Sequence, residues 1–280
     1  MGPLTWHVRG RTLTLTRPLV MGVVNVTPDS FSDGGRYFDT ATAVAHAFHL
    51  VDEGADLLDV GGESTRPGAA PVTVDEELNR VLPVVEALAG KTDVPISVDT
   101  MKAEVARRTL AAGAAVVNDV TALGGDPEMP GIVGEFAAGA ILMHMQGTPQ
   151  TMQGDPAYPE GVVPALDRFF ESRLQHLTAS GIVAEQLALD PGIGFGKTDE
   201  HNRTLLVELA RFARFGRPVC LGVSRKGFLG RLLGRSKDER LAGSLAVAAH
   251  ATLNGAAHIL RVHDVAATRD VVRMLQWLKP

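Results

Sequence analysis

Polar and charged side chains follow each of the eight short apolar runs in this 280-residue sequence. Taken singly, any of them fits a turn residue or a helix cap, because Asp, Asn and Ser are common where strands give way to loops. Their recurrence after every run instead predicts one pocket that holds carboxylates, amides and cationic groups. The residues are Asn25, Asp59, Glu63, Asp99, Asn118, Asp119, His144, Asp190, Ser224, Lys226, Arg261 and His263.

The apolar runs have the length and composition of buried strands. They lie at residues 20–26, 57–60, 96–98, 115–120, 140–143, 187–189, 219–223 and 259–262. A longer segment with helical spacing follows each run, and this alternation predicts βα units around a parallel sheet. Eight such units in about 260 residues fit a (β/α)8 TIM barrel better than an open doubly wound sheet. Active sites of such barrels lie at the carboxyl ends of the strands, where the polar residues fall.

Local signals mark the first residues and the helix ends. Residues 4–16 alternate apolar and polar side chains around Arg9-Gly10, which predicts an N-terminal β-hairpin. The helix signals are the capping-box spacing of Thr73 and Glu76, the C-cap candidates Gly54 and Gly181, and Asp264 before a last helix that ends near Trp277. Because no linker or shift in composition interrupts the pattern, a single domain over residues 1–280 is predicted.

Composition excludes several classes of protein. Hydrophobic residues make up 45% and charged residues 21% of the chain, the balance of a folded globular protein. The net charge of −5 is spread along the chain without a basic stripe, so nucleic acid and membrane partners are not expected. Cys220 is the only cysteine, which rules out a disulfide framework. With no apolar stretch of about 18 residues and no signal-like N-terminus, a cytoplasmic protein is predicted.

Two motifs suggest other chemistry and are disfavoured. Residues 191–198 nearly match the phosphate-binding pattern G-x-x-x-x-G-K-[ST], but Pro191 stands at the first glycine position. No second carboxylate motif for magnesium accompanies it, so a nucleoside triphosphatase is not expected. His144 has no neighbouring His or Cys cluster and is interpreted as a packing or hydrogen-bonding residue rather than a zinc ligand.

Seven stretches in one order resemble the dihydropteroate synthases of folate biosynthesis. They are MGVVNVTPDSFSDGG at 21–35, DVGGESTRPG at 59–68, SVDT at 97–100, NDV at 118–120, DPGIGFGKT at 190–198, SRK at 224–226 and RVHD at 261–264. The resemblance implies a (β/α)8 barrel enzyme that joins 6-hydroxymethyl-7,8-dihydropterin pyrophosphate to p-aminobenzoate and releases 7,8-dihydropteroate and pyrophosphate. It also implies Mg²⁺ as cofactor, a homodimer, and a transferase that sulfonamides target.

The resemblance further implies roles for individual residues. The pterin-binding set is Asp99, Asn118, Asp190 and Lys226, with Met143 and Phe195 as apolar faces that also fit a core role. The pyrophosphate-binding set is Arg66, Arg261, His263 and Asn25, of which Asn25 also holds Mg²⁺. The p-aminobenzoate pocket is built from Asp29, Phe31, Thr65, Pro67 and Phe195. Catalysis is implied for Arg66, Lys226, Arg261, His263 and Asp99, through SN1-like departure of pyrophosphate.

Gly227 departs from the family pattern, which often has Ser or Arg after the SRK motif. The departure removes a side-chain contact to the aminobenzoate carboxylate, which leaves a backbone N–H as its donor. The loops at 27–35 and 61–71 are rich in Gly, Ser and Pro and are predicted to be mobile lids.

Two other functions fit part of the pattern. A pterin-binding methyltransferase barrel shares the buried Asp and Asn residues, but it does not need the anion-binding groups around Arg66 and Arg261. A non-catalytic paralogue would bind pterins without forming product. A direct assay of pteroate formation separates these alternatives.

Overall fold

The computed structural model describes residues 4–27, 36–65 and 68–279, and gives only the backbone for 36–39. Within these ranges the chain forms an eight-stranded parallel sheet with helices between the strands. The strands are β3 (Leu19–Asn25), β4 (Leu57–Gly61), β5 (Ile96–Asp99), β6 (Val116–Asp119), β7 (Gly139–Met143), β8 (Leu187–Asp190), β9 (Cys220–Leu221) and β10 (Ile259–Val262).

The sheet closes on itself. Each strand from β3 to β8 pairs with the next one along the chain, and β10 pairs with both β3 and β9. A parallel bridge between Leu189 of β8 and Val219, the residue before β9, joins the two ends of the sheet. The (β/α)8 barrel predicted from the sequence is therefore confirmed. Its strands are nearly continuous apolar runs because both faces are buried, one against the barrel interior and one against the helices.

The helices form the outer layer of the barrel. They are α1 (Arg36–Asp52), α2 (Val74–Leu88), α3 (Ala103–Ala112), α4 (Met129–Glu135), α5 (Val162–Ala179), α6 (Asp199–Val207), α7 (Gly227–Leu233), α8 (Leu241–Leu253) and α9 (Val265–Trp277). Short 3₁₀ helices lie at Ala184–Gln186, Leu209–Phe215 and Lys237–Glu239. Across the described ranges, no helix combines the length and the apolar character that crossing a bilayer requires.

The predicted helix signals are partly confirmed. Gly54 and Gly181 follow α1 and α5 with φ of +94° and +98°, a conformation that a side chain disfavours. Thr73 Oγ1 accepts a hydrogen bond from the backbone N–H of Glu76 at 3.2 Å, as a capping residue does. The last helix ends at Trp277 as predicted.

Asp264 is the N-cap residue of α9 as predicted, and its carbonyl accepts a hydrogen bond from the backbone N–H of Thr268 at 3.1 Å. Its side chain makes no capping hydrogen bond to the first turn. The carboxylate instead accepts two hydrogen bonds from Arg225, at 3.1 Å from Nε and 2.5 Å from Nη2. A bidentate ion pair is stronger than a neutral capping bond, so it takes the carboxylate away from the helix end.

The predicted N-terminal hairpin is confirmed and closes the amino end of the barrel. It consists of β1 (Leu4–Val8) and β2 (Arg11–Leu15), joined by a turn with positive φ at both Arg9 and Gly10. Trp6 is fully buried and donates its indole N–H to the carbonyl of Gln186 at 2.8 Å. Its neighbours in a separate apolar cluster are barrel-strand residues, among them Met21, Leu57, Ile141, Ala188, Cys220 and Ile259. The hairpin is thus a plug at the end opposite the polar residues.

We predict that Trp6→Ala lowers the free energy of unfolding by about 3–5 kcal/mol, because it leaves a cavity inside the barrel and an unpaired Gln186 carbonyl. Urea denaturation measures the change. The matched control is Trp277→Ala, whose side chain is 78% exposed, and which is expected to change stability by less than about 0.5 kcal/mol. Equal effects of the two substitutions would contradict the role of the hairpin as a plug.

Candidate active site

A cavity of about 480 Å³ opens at the carboxyl ends of the strands. It is lined by polar side chains that the sequence placed after different strands. Among them are Asn25, Glu63, Thr65, Asp99, Ser224, Lys226, Arg261 and His263. The barrel brings these residues together because parallel strands end at the same rim. The sequence alone predicted this convergence, and the structure shows it for residues drawn from β3, β4, β5, β9 and β10.

Arg261 links two carboxylates across the barrel interior. Its Nε lies 2.5 Å from Asp59 Oδ2, and its Nη2 lies 2.7 Å from Asp99 Oδ2. Asn118 Nδ2 also donates to Asp59 Oδ2, at 3.0 Å. Burial lowers the pKa of Arg261, but Asp59 and Asp99 outweigh burial and hold it above its ordinary value. The guanidinium is therefore charged at every relevant pH, and it connects β10 to β4 and β5, while Asn118 of β6 joins through Asp59.

The carboxyl group of Asp99 has a strongly raised pKa. Burial raises the pKa of its carboxyl group to about 7; Arg261 opposes this shift, while the nearby Asp59 adds to it. Asp99 can therefore bind or release a proton close to neutral pH. A pKa displaced this far in a polar cavity is typical of functional sites.

Asp190 lies deeper, at the end of β8. Its Oδ1 accepts a hydrogen bond from the backbone N–H of Gly192 at 2.7 Å, and the residue is 6% exposed. Burial raises its pKa, while the Gly192 bond and the charges of Lys226 and Arg261 oppose that shift. Asn118 and Met143 are buried to a similar degree. Met143 lines a second cavity of about 290 Å³ beside the helix α5 residue Arg173, rather than the main cavity.

Lys226 faces the ring of Phe195 at the cavity wall. Its Nζ lies 4.2 Å from the ring centroid, the geometry of a cation–π contact. Burial lowers the pKa of Lys226 to about 8, although the Asp190 charge opposes the shift. A lysine whose pKa lies near neutrality is therefore in contact with an aromatic ring. The sequence analysis assigned both residues to one pocket.

Sequence reasoning missed the role of Lys197, which it met only in the near match to a phosphate-binding loop. Its Nζ contacts Phe195 O at 2.9 Å, His144 Nδ1 at 3.1 Å and His144 O at 3.2 Å. All three ammonium protons thus have partners inside the protein. Burial lowers the pKa of Lys197 to about 7 and that of His144 to about 3. This lysine joins the loop after β8 to the loop after β7 instead of presenting itself to a nucleotide.

The loop after β8 needs its glycines for the same close packing. A Cβ on Gly192 would lie 2.0 Å from the carbonyl oxygen of His144, and one on Gly196 would lie 2.4 Å from that of Gln146. Both glycines also have positive φ. The glycines that resemble a phosphate loop therefore serve contact between two backbones.

His263 is a neutral imidazole in the ligand-free protein. Its Nδ1 lies 3.1 Å from Ser224 Oγ. Burial, followed by the charges of Arg261 and Arg225, lowers its pKa to about 4. The residue was expected to supply positive charge for an anion, and this environment shows that it becomes cationic only if an anion stabilises the proton.

Some of the predicted residues cannot be placed. Asp29, Phe31, Arg66 and Pro67 lie outside the described residues, as does most of the first predicted lid. In the second predicted lid, Glu63 forms an ion pair with Lys102, which also binds the buried Glu77 at 2.5 Å. Residues 61–65 are thus held to α2 and to the segment that precedes α3.

The donor set at the end of β3 fits a magnesium ion. In the part of the chain that the structure describes, no three His, Cys, Asp or Glu side chains cluster as a metal site. Asn25 lines the cavity, and its strand neighbour is Gly61 of β4. Mg²⁺ binds proteins through one or two oxygen ligands and completes its shell with water and substrate phosphates, so one amide oxygen at a cavity wall suits it.

We predict that His263 stays neutral down to about pH 5 in the ligand-free protein and titrates near pH 4. Side-chain NMR of the histidines measures this, with His263→Gln assigning the signal. The unfolded chain takes up the proton near pH 6.5, so His263 stabilises the fold above that pH, and this contribution is lost as the pH falls towards 4. A His263 midpoint near 6.5 would show that the cavity does not desolvate the ring.

Comparison with known proteins identifies the family of this chain. Residues 21–263 match the family of pterin-binding enzymes. The chain is 48% identical over 268 residues to dihydropteroate synthase of Escherichia coli strain K12, covering 96% of this chain and 94% of that protein. It superposes with a TM-score of 0.92 on dihydropteroate synthase of Yersinia pestis in a sulfonamide drug complex, at 44% identity over 98% of each chain.

A second solved structure is equally similar. Dihydropteroate synthase of Xanthomonas albilineans with 4-aminobenzoic acid has a TM-score of 0.92 and 47% identity, covering 99% of this chain and 100% of that one. Fold, motif order and identity over nearly the full length therefore agree. The chain belongs to the dihydropteroate synthases, transferases within the pterin-binding enzyme family.

Proposed function

We propose that this chain joins 6-hydroxymethyl-7,8-dihydropterin pyrophosphate to p-aminobenzoate, giving 7,8-dihydropteroate and pyrophosphate. The observation that carries the proposal is the combination of acceptors and cationic groups at one site. Asp190 is a buried carboxylate on which the charges of Lys226 and Arg261 act, and both of these cationic side chains line the same cavity as Asp99. A substrate with a donor-rich heterocycle at one end and a diphosphate at the other matches this arrangement.

The deep acceptors would fix the pterin. Asp190 offers a carboxylate to the 2-amino and N3 donors of the ring, and Asn118 and Asp99 add an amide and a second carboxyl group. Lys226 adds a donor, and Phe195 an aromatic face. Buried carboxylates are unfavourable without partners, so a site of this kind rejects ligands that lack those donors.

The cationic groups would bind the leaving pyrophosphate. The Arg261 guanidinium uses Nε and Nη2 for Asp59 and Asp99, so Nη1 faces no carboxylate among the described residues. His263 would take up a proton as the anion binds, since a nearby negative charge raises the pKa of an imidazole. Arg66 supplies a further guanidinium in this proposal. When bound through Asn25, Mg²⁺ supplies additional positive charge to the phosphate oxygens.

The reaction needs no nucleophilic side chain. The C–O bond between the pterin methylene and the diphosphate breaks first, and its electron pair leaves with pyrophosphate. The amine of p-aminobenzoate then forms the new C–N bond and loses a proton. Cys220 takes no part, because it is fully buried among strand residues and burial raises its pKa. The protein accelerates the step by stabilising the leaving group and holding the two reactants together.

The aminobenzoate ring would lie between Phe195 and Thr65, with Phe31 and Pro67 completing the pocket. Thr65 and Phe195 both line the main cavity. A sulfonamide carries the same aniline group, so the same pocket would accept it.

A coupled assay of dihydropteroate formation tests the proposed reaction, and Asp190→Asn tests the site. We expect Asp190→Asn to weaken pterin binding by about 3 kcal/mol in calorimetry, because an amide then presents a donor to a donor. The matched control is Asp56→Asn, a carboxylate before β4 at the opposite end of the barrel, bound by Arg17 at 2.7 Å. It should leave pterin affinity unchanged.

Three outcomes would overturn parts of this proposal. Pterin binding by Asp190→Asn within a factor of three of the original chain removes the pterin assignment. Tight pterin binding without product formation indicates a non-catalytic paralogue. Methyl transfer from a folate without dihydropteroate formation indicates a methyltransferase barrel.

We also propose that two chains form a homodimer through α8. This helix carries an apolar stripe on the face turned away from the barrel. The outer stripe has helical spacing and consists of Ala242, Ala246, Ala249 and Leu253. Leu253 is 65% exposed, and Leu232 of the preceding helix is 77% exposed. An exposed apolar stripe marks a contact surface, and a second copy of this chain, which the family resemblance implies, would supply the missing cover.

We predict that Ala246→Glu converts the protein to a monomer in sedimentation velocity, because it places two buried carboxylates at a symmetric contact. Ala179→Glu, at the exposed end of α5, is the control and should keep the oligomeric state. A monomer in the unsubstituted chain, or a dimer that survives Ala246→Glu, would contradict this interface.

A further inference from the structure

The outer wall of the cavity is basic where α7 begins. Arg231, Lys237 and Arg240 all line the cavity on this side, next to Gly227. Arg240 is occupied with the main chain, because its Nη1 donates to the carbonyl of Arg225 at 3.1 Å. Arg231 differs in that an exposed carboxylate holds it in one orientation.

Asp199 fixes two of the three nitrogens of the Arg231 guanidinium. Asp199 Oδ2 accepts a hydrogen bond from Nε at 2.8 Å, and Oδ1 accepts one from Nη2 at 2.5 Å. Nη1 takes no part in this bidentate pair. It points to Gly227, since a Cβ placed on that glycine would lie 3.1 Å from it.

The glycine and the arginine therefore share one space. With a side chain at 227, its first atom would lie 3.1 Å from Nη1, and the guanidinium would have to shift by a few tenths of an ångström. With Gly227, the guanidinium lies directly against the position where that side chain would begin. The glycine by which this sequence departs from its family pattern is thus accompanied by an arginine four residues later, whose guanidinium lies against it.

The substrate determines what this nitrogen would meet. p-Aminobenzoate carries its amine and its carboxylate at opposite ends of a rigid ring. The amine must reach the pterin methylene, and the pterin-binding acceptors lie deep in the barrel. The carboxylate must then point outward, along the wall formed by Phe195 and Lys226, to the rim where Arg231 lies.

We propose that Arg231 is the specificity-determining residue that receives the carboxylate of p-aminobenzoate through Nη1, in place of a side chain at position 227. The inference rests on the proposed function and deepens it. Asp199 acts as the positioning residue, because its bidentate pair with Nε and Nη2 orients the exposed guanidinium with Nη1 towards Gly227. A guanidinium oriented in this way loses less freedom on binding than a cation without such a partner.

The test compares two substrates in two proteins. p-Aminobenzoate and its neutral isostere 4-aminobenzamide are assayed with saturating dihydropterin pyrophosphate, in the unsubstituted chain and in Arg231→Gln. We expect kcat/KM for the acid to fall about tenfold in Arg231→Gln, through KM. The value for the amide should change less than twofold, because the amide carries no charge for the arginine to meet. The KM for dihydropterin pyrophosphate should stay constant.

A matched control separates this role from general loss of surface charge. Arg203→Gln removes an arginine of α6 that pairs with Glu200 and lies 71% exposed, and it should leave the preference for the acid unchanged. An unchanged preference in Arg231→Gln would overturn the inference, as would loss of the preference in Lys237→Gln instead. Absence of dihydropteroate formation in the unsubstituted chain would overturn the proposed function itself, so the two failures are distinguishable.

Discussion

The buried ion pairs between Arg261 and the carboxylates of Asp59 and Asp99 are the constraint on which the site depends. Charges taken out of water are unfavourable unless each has a well-placed partner, so one guanidinium fixes the ends of three strands at once. Asn118 adds a fourth strand through Asp59. The floor of the cavity is consequently rigid before any ligand arrives. Removing Arg261 would leave both carboxylates without their cationic partner, and its effect on activity would include this structural loss.

Three ionisable groups of the site have pKa values that lie near neutrality. Asp99, Lys226 and Lys197 have pKa values displaced towards neutrality, to about 7, 8 and 7 respectively, and burial is the main cause each time. Because desolvation disfavours every charged form, a ligand that brings the opposite charge restores the ionised state. An anion at the cavity mouth and a donor-rich ring below it would each do so. Substrate binding and protonation are therefore linked in this barrel.

Close packing of the loop after β7 against the loop after β8 positions the ring of Phe195. Lys197 bonds the carbonyls of Phe195 and His144, and Gly192 and Gly196 permit the contact that makes those bonds possible. Phe195 is thereby fixed opposite Lys226. The resemblance of this segment to a phosphate-binding loop has a simple cause, since both structures need glycines wherever a backbone must approach another group closely. In a phosphate-binding loop the backbone approaches a phosphate, whereas here it approaches the carbonyl groups of a neighbouring loop.

The sequence by itself determined the barrel, the hairpin and the rim on which the polar residues lie, because periodicity and strand-end composition are local properties that parallel strands convert into one shared edge. It did not determine which charges pair. Asp264 has the position of a helix cap and binds Arg225 instead, and Asp59 receives Arg261 from a strand some two hundred residues away. Nor did it show that Arg231 fills the space above Gly227, or that Lys197 faces inward. Partner choice depends on distances between side chains on different elements, and burial sets the protonation of His263 and Asp99. Only the tertiary structure decides the pairing of charges and the protonation states, because both depend on which side chains lie close together and exclude water.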